Sequence, residues 1–176
     1  FDLKLPTNIV FGLGTFSQIH KHLRGFGKRA FVVTSPGFTA DPHRTGILDL
    51  LKAQLKKISV EFDIFSDIEP NPKSQTIDRA AKIARDYKPK YILALGGGSV
   101  MDAAKAIAIL CNSDGTIFEY AYKGPRSLPE CETKKIVSVL PIVCIPTLAG
   151  TGSEANFFSV ITDELSKQKL TIVSDL

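Results

Sequence analysis

An open α/β fold, a mostly parallel sheet with helices on both faces, is what this sequence predicts. Three observations carry that reading. Apolar runs that look like buried strands alternate with amphipathic segments at helical spacing, the pattern of a parallel sheet built from βα units. The run Tyr91-Ile92-Leu93-Ala94-Leu95 passes straight into three glycines and then an alanine-rich segment, a strand–turn–helix succession. A second apolar run, Ile142-Val143-Cys144-Ile145, again leads into a loop rich in Gly, Ser and Thr, at 146–154.

The elements follow in order. Asn8-Ile9-Val10-Phe11 can form an edge strand, and Ala30-Phe31-Val32-Val33-Thr34 reads as a buried one closed by Ser35-Pro36-Gly37. Ile47, Leu48, Leu51, Leu55 and Ile58 recur at helical spacing, which predicts a helix over 47–58. Residues 60–65 alternate and predict the next strand. Pro70-Asn71-Pro72 breaks the chain, because proline disfavours helix in the residue before it. Ser74 is placed to cap a helix that runs to about Tyr87. After the strand at 91–95 and the helix at 102–110, residues 113–135 hold Gly115, Gly124, Pro125 and Pro129 among charges and read as an irregular excursion. Residues 157–162 and 169–174 flank a polar turn, as in a hairpin.

Bulk properties narrow the function. A chain of 176 residues suits one domain, or one with an appendage, and can bury a substantial core. The formal charge of +4 is scattered, with Lys56-Lys57 and Lys134-Lys135 only as pairs, so nucleic acid is not an expected partner, while a basic pocket for phosphates stays compatible. No apolar run approaches the ~18 residues of a membrane span, and no signal-peptide pattern opens the chain. Cys111, Cys131 and Cys144 form no CxxC pair, which fits a reducing, cytoplasmic setting. Opening on Phe1 and stopping just after a predicted strand, the chain reads as a fragment or a processed product.

Two loops carry the chemistry. Gly96-Gly97-Gly98-Ser99 is not a GxGxxG fingerprint, and by itself it is either a bare tight turn or a phosphate cradle at a helix N-terminus. Ser99 can cap the helix or bond a phosphate; Asp102 can accept from a ribose hydroxyl or complement the helix dipole. The loop at 147–154 is either a plain turn with Ser153 as a cap or a source of backbone and hydroxyl donors to a pyrophosphate. Two such loops at strand C-termini favour a ligand, because open α/β sheets bind theirs there.

Together, Gly96-Gly97-Gly98-Ser99-Val100-Met101-Asp102 and Pro146-Thr147-Leu148-Ala149-Gly150-Thr151-Gly152-Ser153-Glu154 resemble the two signature loops of iron-containing (group III) alcohol dehydrogenases. Phe11-Gly12-Leu13-Gly14, Pro70-Asn71-Pro72, and Ile161-Thr162-Asp163 before Lys169-Leu170 occur in that family's order, so the resemblance spans almost the whole chain. It implies that residues 1–176 form a Rossmann-like domain that binds NAD or NADP. Asn71, Gly97, Gly98, Ser99 and Asp102 would meet the pyrophosphate and ribose. Thr147, Leu148 and Thr151 would line the other side, with Val160 and Lys169 completing the pocket. Leu148 stands where threonine is common, which removes one hydroxyl donor. Ser35 ends the first strand where NAD-preferring members often carry aspartate. Without a carboxylate to repel a 2′-phosphate, NADP(H) is expected to be accepted.

The resemblance further implies Fe²⁺, or Zn²⁺, held by one Asp and three His in a helical C-terminal domain. The only histidines, His20, His22 and His43, have no site-like spacing, so no catalytic or metal-binding residue is expected within this chain, and little turnover from it alone. The implied substrate is a small primary alcohol or its aldehyde, and the implied assembly a homodimer paired through the N-terminal strand. Dehydroquinate-synthase-like cyclases and glycerol dehydrogenases share the architecture, but the 147–154 loop resembles the alcohol dehydrogenases more closely. A cofactor-binding module without catalysis is the remaining alternative.

Overall fold

Helical crossovers between successive strands force parallel pairing, and the main sheet is parallel throughout. In the computed structural model, which describes residues 7–122 and 133–174, it consists of β1 (Arg29–Thr34), β2 (Glu61–Phe65), β3 (Tyr91–Gly96) and β4 (Ile142–Pro146) in the order β2-β1-β3-β4. The register sets Thr34 beside Leu95 and Gly96 beside Pro146, so the strands end level with one another. The single turns α1 (Ile19–His22) and α2 (Gly37–Ala40) flank β1, and the longer helices are α3 (Pro42–Lys57), α4 (Ser74–Tyr87) and α5 (Gly98–Cys111). A separate antiparallel hairpin, β5 (Phe158–Asp163) and β6 (Gln168–Val173), follows β4. Its strands are displaced by one residue from the expected 157–162 and 169–174.

Strand alternation sorts the core into two layers. Phe31, Val33, Ile92 and Ala94 face α4 and α5, and the hairpin's Ile161 and Ile172 join them there. Ala30, Val32, Leu93 and Leu95 face α3 and Ile19 of α1. The alanine-rich α5 is buried over most of its surface, because its small side chains let it pack close between sheet, α4 and hairpin.

Several boundaries differ from the sequence expectation, each for a local reason. Helix α3 starts at Pro42, five residues before the apolar periodicity, because the Asp41 carboxylate caps it by accepting from His43 N at 2.9 Å and proline suits the first helical position. Ser74 is the first residue of α4 rather than its cap; its hydroxyl donates instead to Asp163 Oδ1 of the hairpin at 3.3 Å. Helix α4 stops at Lys88, whose left-handed backbone (φ +56°) returns its N–H to Ala84 O.

The expected edge strand at 8–11 does not form. Residues 7–11 are irregular and exposed, and no described strand pairs with them, so a lone strand there would leave its N–H and C=O groups without a ladder. Within the 113–135 excursion a 3-10 turn, Ile117–Tyr120, is held by a Thr116/Glu119 capping box, and Tyr122 bridges to Thr171 of β6. Gly124, Pro125, Pro129 and Cys131 lie outside the described residues. Among the described residues no helix is long and apolar enough to cross a membrane.

Candidate functional site

The strand order reverses direction between β1 and β3: the chain leaves β1 toward β2 on one side and resumes at β3 on the other. At such a switch point open α/β sheets bind their ligands, in the crevice outside the carboxyl ends of the strands. Ser35 follows β1 on one lip, one residue beyond the strand it was expected to end, and the three glycines follow β3 on the other. Beneath them the buried Thr34 hydroxyl donates to Leu95 O at 2.8 Å, tying the two strand ends together.

The glycine loop enters α5 without a side-chain cap. Gly97 is the N-cap residue, and its carbonyl accepts from Val100 N at 3.0 Å and Met101 N at 3.1 Å. The amides of Gly98 and Ser99 remain at the open helix end, where backbone N–H groups and the helix dipole both favour an anion. Ser99 is not a cap; it lies inside the first turn, and its Oγ accepts from Asn71 N at 3.3 Å. Asn71 sits between two prolines with φ +54°, a left-handed conformation that asparagine tolerates better than most residues. Its Oδ1 accepts from Lys169 Nζ at 3.0 Å. Ser99, Asn71 and Lys169, far apart in sequence, are thus chained across the crevice mouth.

The 147–154 loop forms a second jaw. Thr147 N donates to Gly96 O at 3.0 Å, and Thr151 lies so close to Gly98 that a Cβ there would come within 2.8 Å of Thr151 Cγ2. The Leu148 side chain, largely exposed, would sit 3.7 Å from a Cβ on Gly97. Glycine at 98 is therefore what lets the jaws approach, whereas a Cβ on Gly97 would make only ordinary contact. Ser153 caps nothing: Gly152 is the N-cap of the short 3-10 turn Ser153–Ala155, and the Ser153 hydroxyl points back to α5.

The Asp102 carboxylate has partners within the fold. Its Oδ1 accepts from Ser153 Oγ at 2.6 Å, and its Oδ2 accepts from Val160 N of β5 at 3.1 Å. One turn on, Lys105 Nζ donates to Ser153 Oγ (2.9 Å), Asn156 Oδ1 (3.0 Å) and Phe158 O (2.7 Å), and lies 3.7 Å from Asp102 Oδ1. Sequence reasoning missed Lys105; its only signal was the i,i+3 Asp–Lys spacing, which usually marks a solvated helix face. Burial holds Lys105 below the usual lysine range against the pull of Asp102, and burial pushes the nearby Cys144 thiol up to about 11.

Of the eleven residues expected at the site, Ser35, Asn71, Gly97, Gly98, Ser99, Thr147, Leu148, Thr151 and Lys169 border the crevice or its hydrogen-bonded rim. The Val160 amide donates to Asp102, so these two are joined to each other behind the rim. A second basic side chain stands near the first lip: Arg44 Nη1 comes within 3.1 Å of where a Cβ on Gly37 would be, its guanidinium beside Asp41 and over the Phe38 ring. The histidines build no metal site. His20 pairs its ring with Gln54 Oε1 at 2.6 Å, and among the described residues no three His, Cys, Asp or Glu side chains are placed to hold a metal.

A family model described as iron-containing alcohol dehydrogenase matches residues 6–176. Over 170 residues the chain is 34% identical to NADH-dependent butanol dehydrogenase B of Clostridium acetobutylicum, covering 97% of this chain and 40% of that protein. It is equally identical, 34%, to an NADPH-dependent aldehyde reductase of Escherichia coli, covering 96% of this chain and 41% of the relative. The crystal structure of NADH-dependent butanol dehydrogenase A from Thermotoga maritima superposes with a TM-score of 0.87 at 31% identity, over 99% of this chain and 41% of that one. The chain thus spans about 40% of the length of the relatives it matches.

Proposed function

This chain belongs to the iron-containing alcohol dehydrogenase family, and on that premise we propose that it binds the dinucleotide of an NAD(P)-dependent alcohol dehydrogenase. The reaction passes hydride between a small primary alcohol, or its aldehyde, and the cofactor. The observation that carries this reading is the meeting of two Gly/Ser/Thr loops at the β1/β3 switch point. Bound there, the dinucleotide supplies the hydride acceptor or donor. The free amides of Gly98 and Ser99 cradle its pyrophosphate, and Thr147 and Thr151 offer hydroxyls from the opposite jaw. Lys169, steadied by Asn71, brings positive charge to the rim.

NADP(H) is accepted as well as NAD(H). The lip after β1 holds Ser35 and no carboxylate, and Arg44 lies beside the same turn to meet a 2′-phosphate. Calorimetric titration with NADH and NADPH tests both statements. Binding of NADPH at least as tight as NADH is expected; far tighter NADH binding overturns the NADP reading, and binding of neither overturns the cofactor reading. We further propose a cytoplasmic protein, tested by fractionating cells that express it, and a homodimer in which the exposed run Asn8-Ile9-Val10-Phe11 pairs with a second copy. A monomer mass by light scattering would exclude that pairing.

A further inference from the structure

We propose that Asp102 and Lys105 are positioning residues that latch the second jaw to α5, and that neither side chain touches the ligand. Three residues apart, they project from one helix face. Their partners are Ser153 at the end of the jaw, Asn156 just after it, and the backbone of Phe158 and Val160 at the start of β5. Ser159 adds a bond from its hydroxyl to the Asp102 carbonyl at 2.7 Å. Every one of these contacts joins helix residues to groups some fifty positions later in the chain. Both carboxylate oxygens of Asp102 are occupied, and only 17% of its side chain and 13% of the Lys105 side chain are exposed. The carboxylate is thus mostly covered, with one oxygen turned to the jaw and the other to β5.

The consequence is mechanical. Thr151, two residues before Ser153, forms the contact with Gly98 across the cradle. Removing the latch frees the jaw while leaving the glycine loop, whose shape is set by β3 and α5, unchanged. The three acceptors around Lys105 Nζ match the three N–H bonds of an ammonium, and a neutral amine has only two. Asp102 on the same helix, Glu154 on the jaw and Cys144 on β4 face this amine, and burial already lowers its proton affinity.

The latch rests on geometry alone; only its effect on affinity rests on the dinucleotide reading. The test compares wild type with K105M, D102N, S153A and the D102N/S153A double variant. Amide hydrogen exchange is measured without ligand, and NADPH affinity by calorimetry from neutral to alkaline pH. In K105M and D102N, exchange over 147–160 is expected to quicken about tenfold or more while 91–96 stays protected. NADPH affinity falls roughly 10- to 100-fold, the usual worth of a hydrogen bond to a charged group. The losses in the double variant are less than additive, because the shared Ser153–Asp102 bond cannot be lost twice. Wild-type affinity drops at alkaline pH as Lys105 loses its proton, and in K105M that drop is smaller. Unchanged protection in K105M overturns the latch. Additive losses in the cycle would return Asp102 to direct contact with the ligand. If wild type binds no dinucleotide, the cofactor reading fails, and the exchange data still decide the latch.

Discussion

The two jaws of the crevice share a composition of Gly, Ser and Thr but are held by different forces. The first jaw, Gly96 to Ser99, is set by backbone: β3 is buried along its length, Gly97 O closes the first turn of α5, and Val100 packs against Gly96. The second, 147–154, is largely exposed, and its far end is tied down by the side chains of Asp102 and Lys105. A loop shaped by its own buried flanks is rigid as soon as the domain folds. A loop held by distant side chains is only as fixed as those contacts, so affinity can be tuned at the second jaw without disturbing the core.

The largest expected effects fall on the first jaw. A Cβ on Gly96 would lie 2.6 Å from Val100 Cγ2 inside the core, so Gly96→Ala should cost about 1–3 kcal/mol by overpacking and lower the melting temperature by several degrees. Gly98→Ala pushes on Thr151, a residue of the exposed jaw that can move; it should melt nearly as wild type yet bind NADPH more weakly. Paired calorimetric melts and titrations compare the two, and a large stability loss in Gly98→Ala would break the distinction.

A smaller effect separates backbone from side chain at Asn71. With φ +54°, Asn71→Ala should lose about 1 kcal/mol from strain and from the bond to Lys169, while Asn71→Gly should recover the backbone part. Denaturant melts read the recovery. Equal losses in the two variants would show that the left-handed conformation carries no cost here.

The smallest effect is on acidification, which should loosen parts held by side chains and spare the first jaw. Bonds from Lys134 and the Thr116 amide lower the Glu119 carboxyl to about 2, from 4.5. Asp163 is also held below its ordinary value, chiefly by Ser166. A carboxyl with a depressed folded value stabilises above its unfolded value and loses that contribution as pH falls through the folded one. Amide signals of 116–120 should therefore shift between about pH 4.5 and 2, and those of 163–166 below the ordinary aspartate value, before those of β3. The Glu119–Lys134 pair is exposed, so solvent and salt screen it and the change is modest. Simultaneous loss of all signals would contradict the separation.

Much of the fold was legible along the chain because its signals are local. Strand alternation, helical spacing and glycine breaks placed β1 to β4, α4 and the hairpin within a residue or two, and the two Gly/Ser/Thr loops fell at strand ends as expected. The strand at 8–11 failed because pairing needs a neighbour that periodicity does not supply. Helix α3 began early because its start lies in Asp41-Pro42, a capping signal outside the apolar pattern. By itself, then, the sequence determined which segments become strands and helices and which loops face the strand ends, since these follow from spacing within a dozen residues. The fate of Asp102 was decided only in three dimensions. Its partners Ser153 and Val160 lie 51 and 58 positions away, and a carboxylate serves whichever donors packing brings to it first.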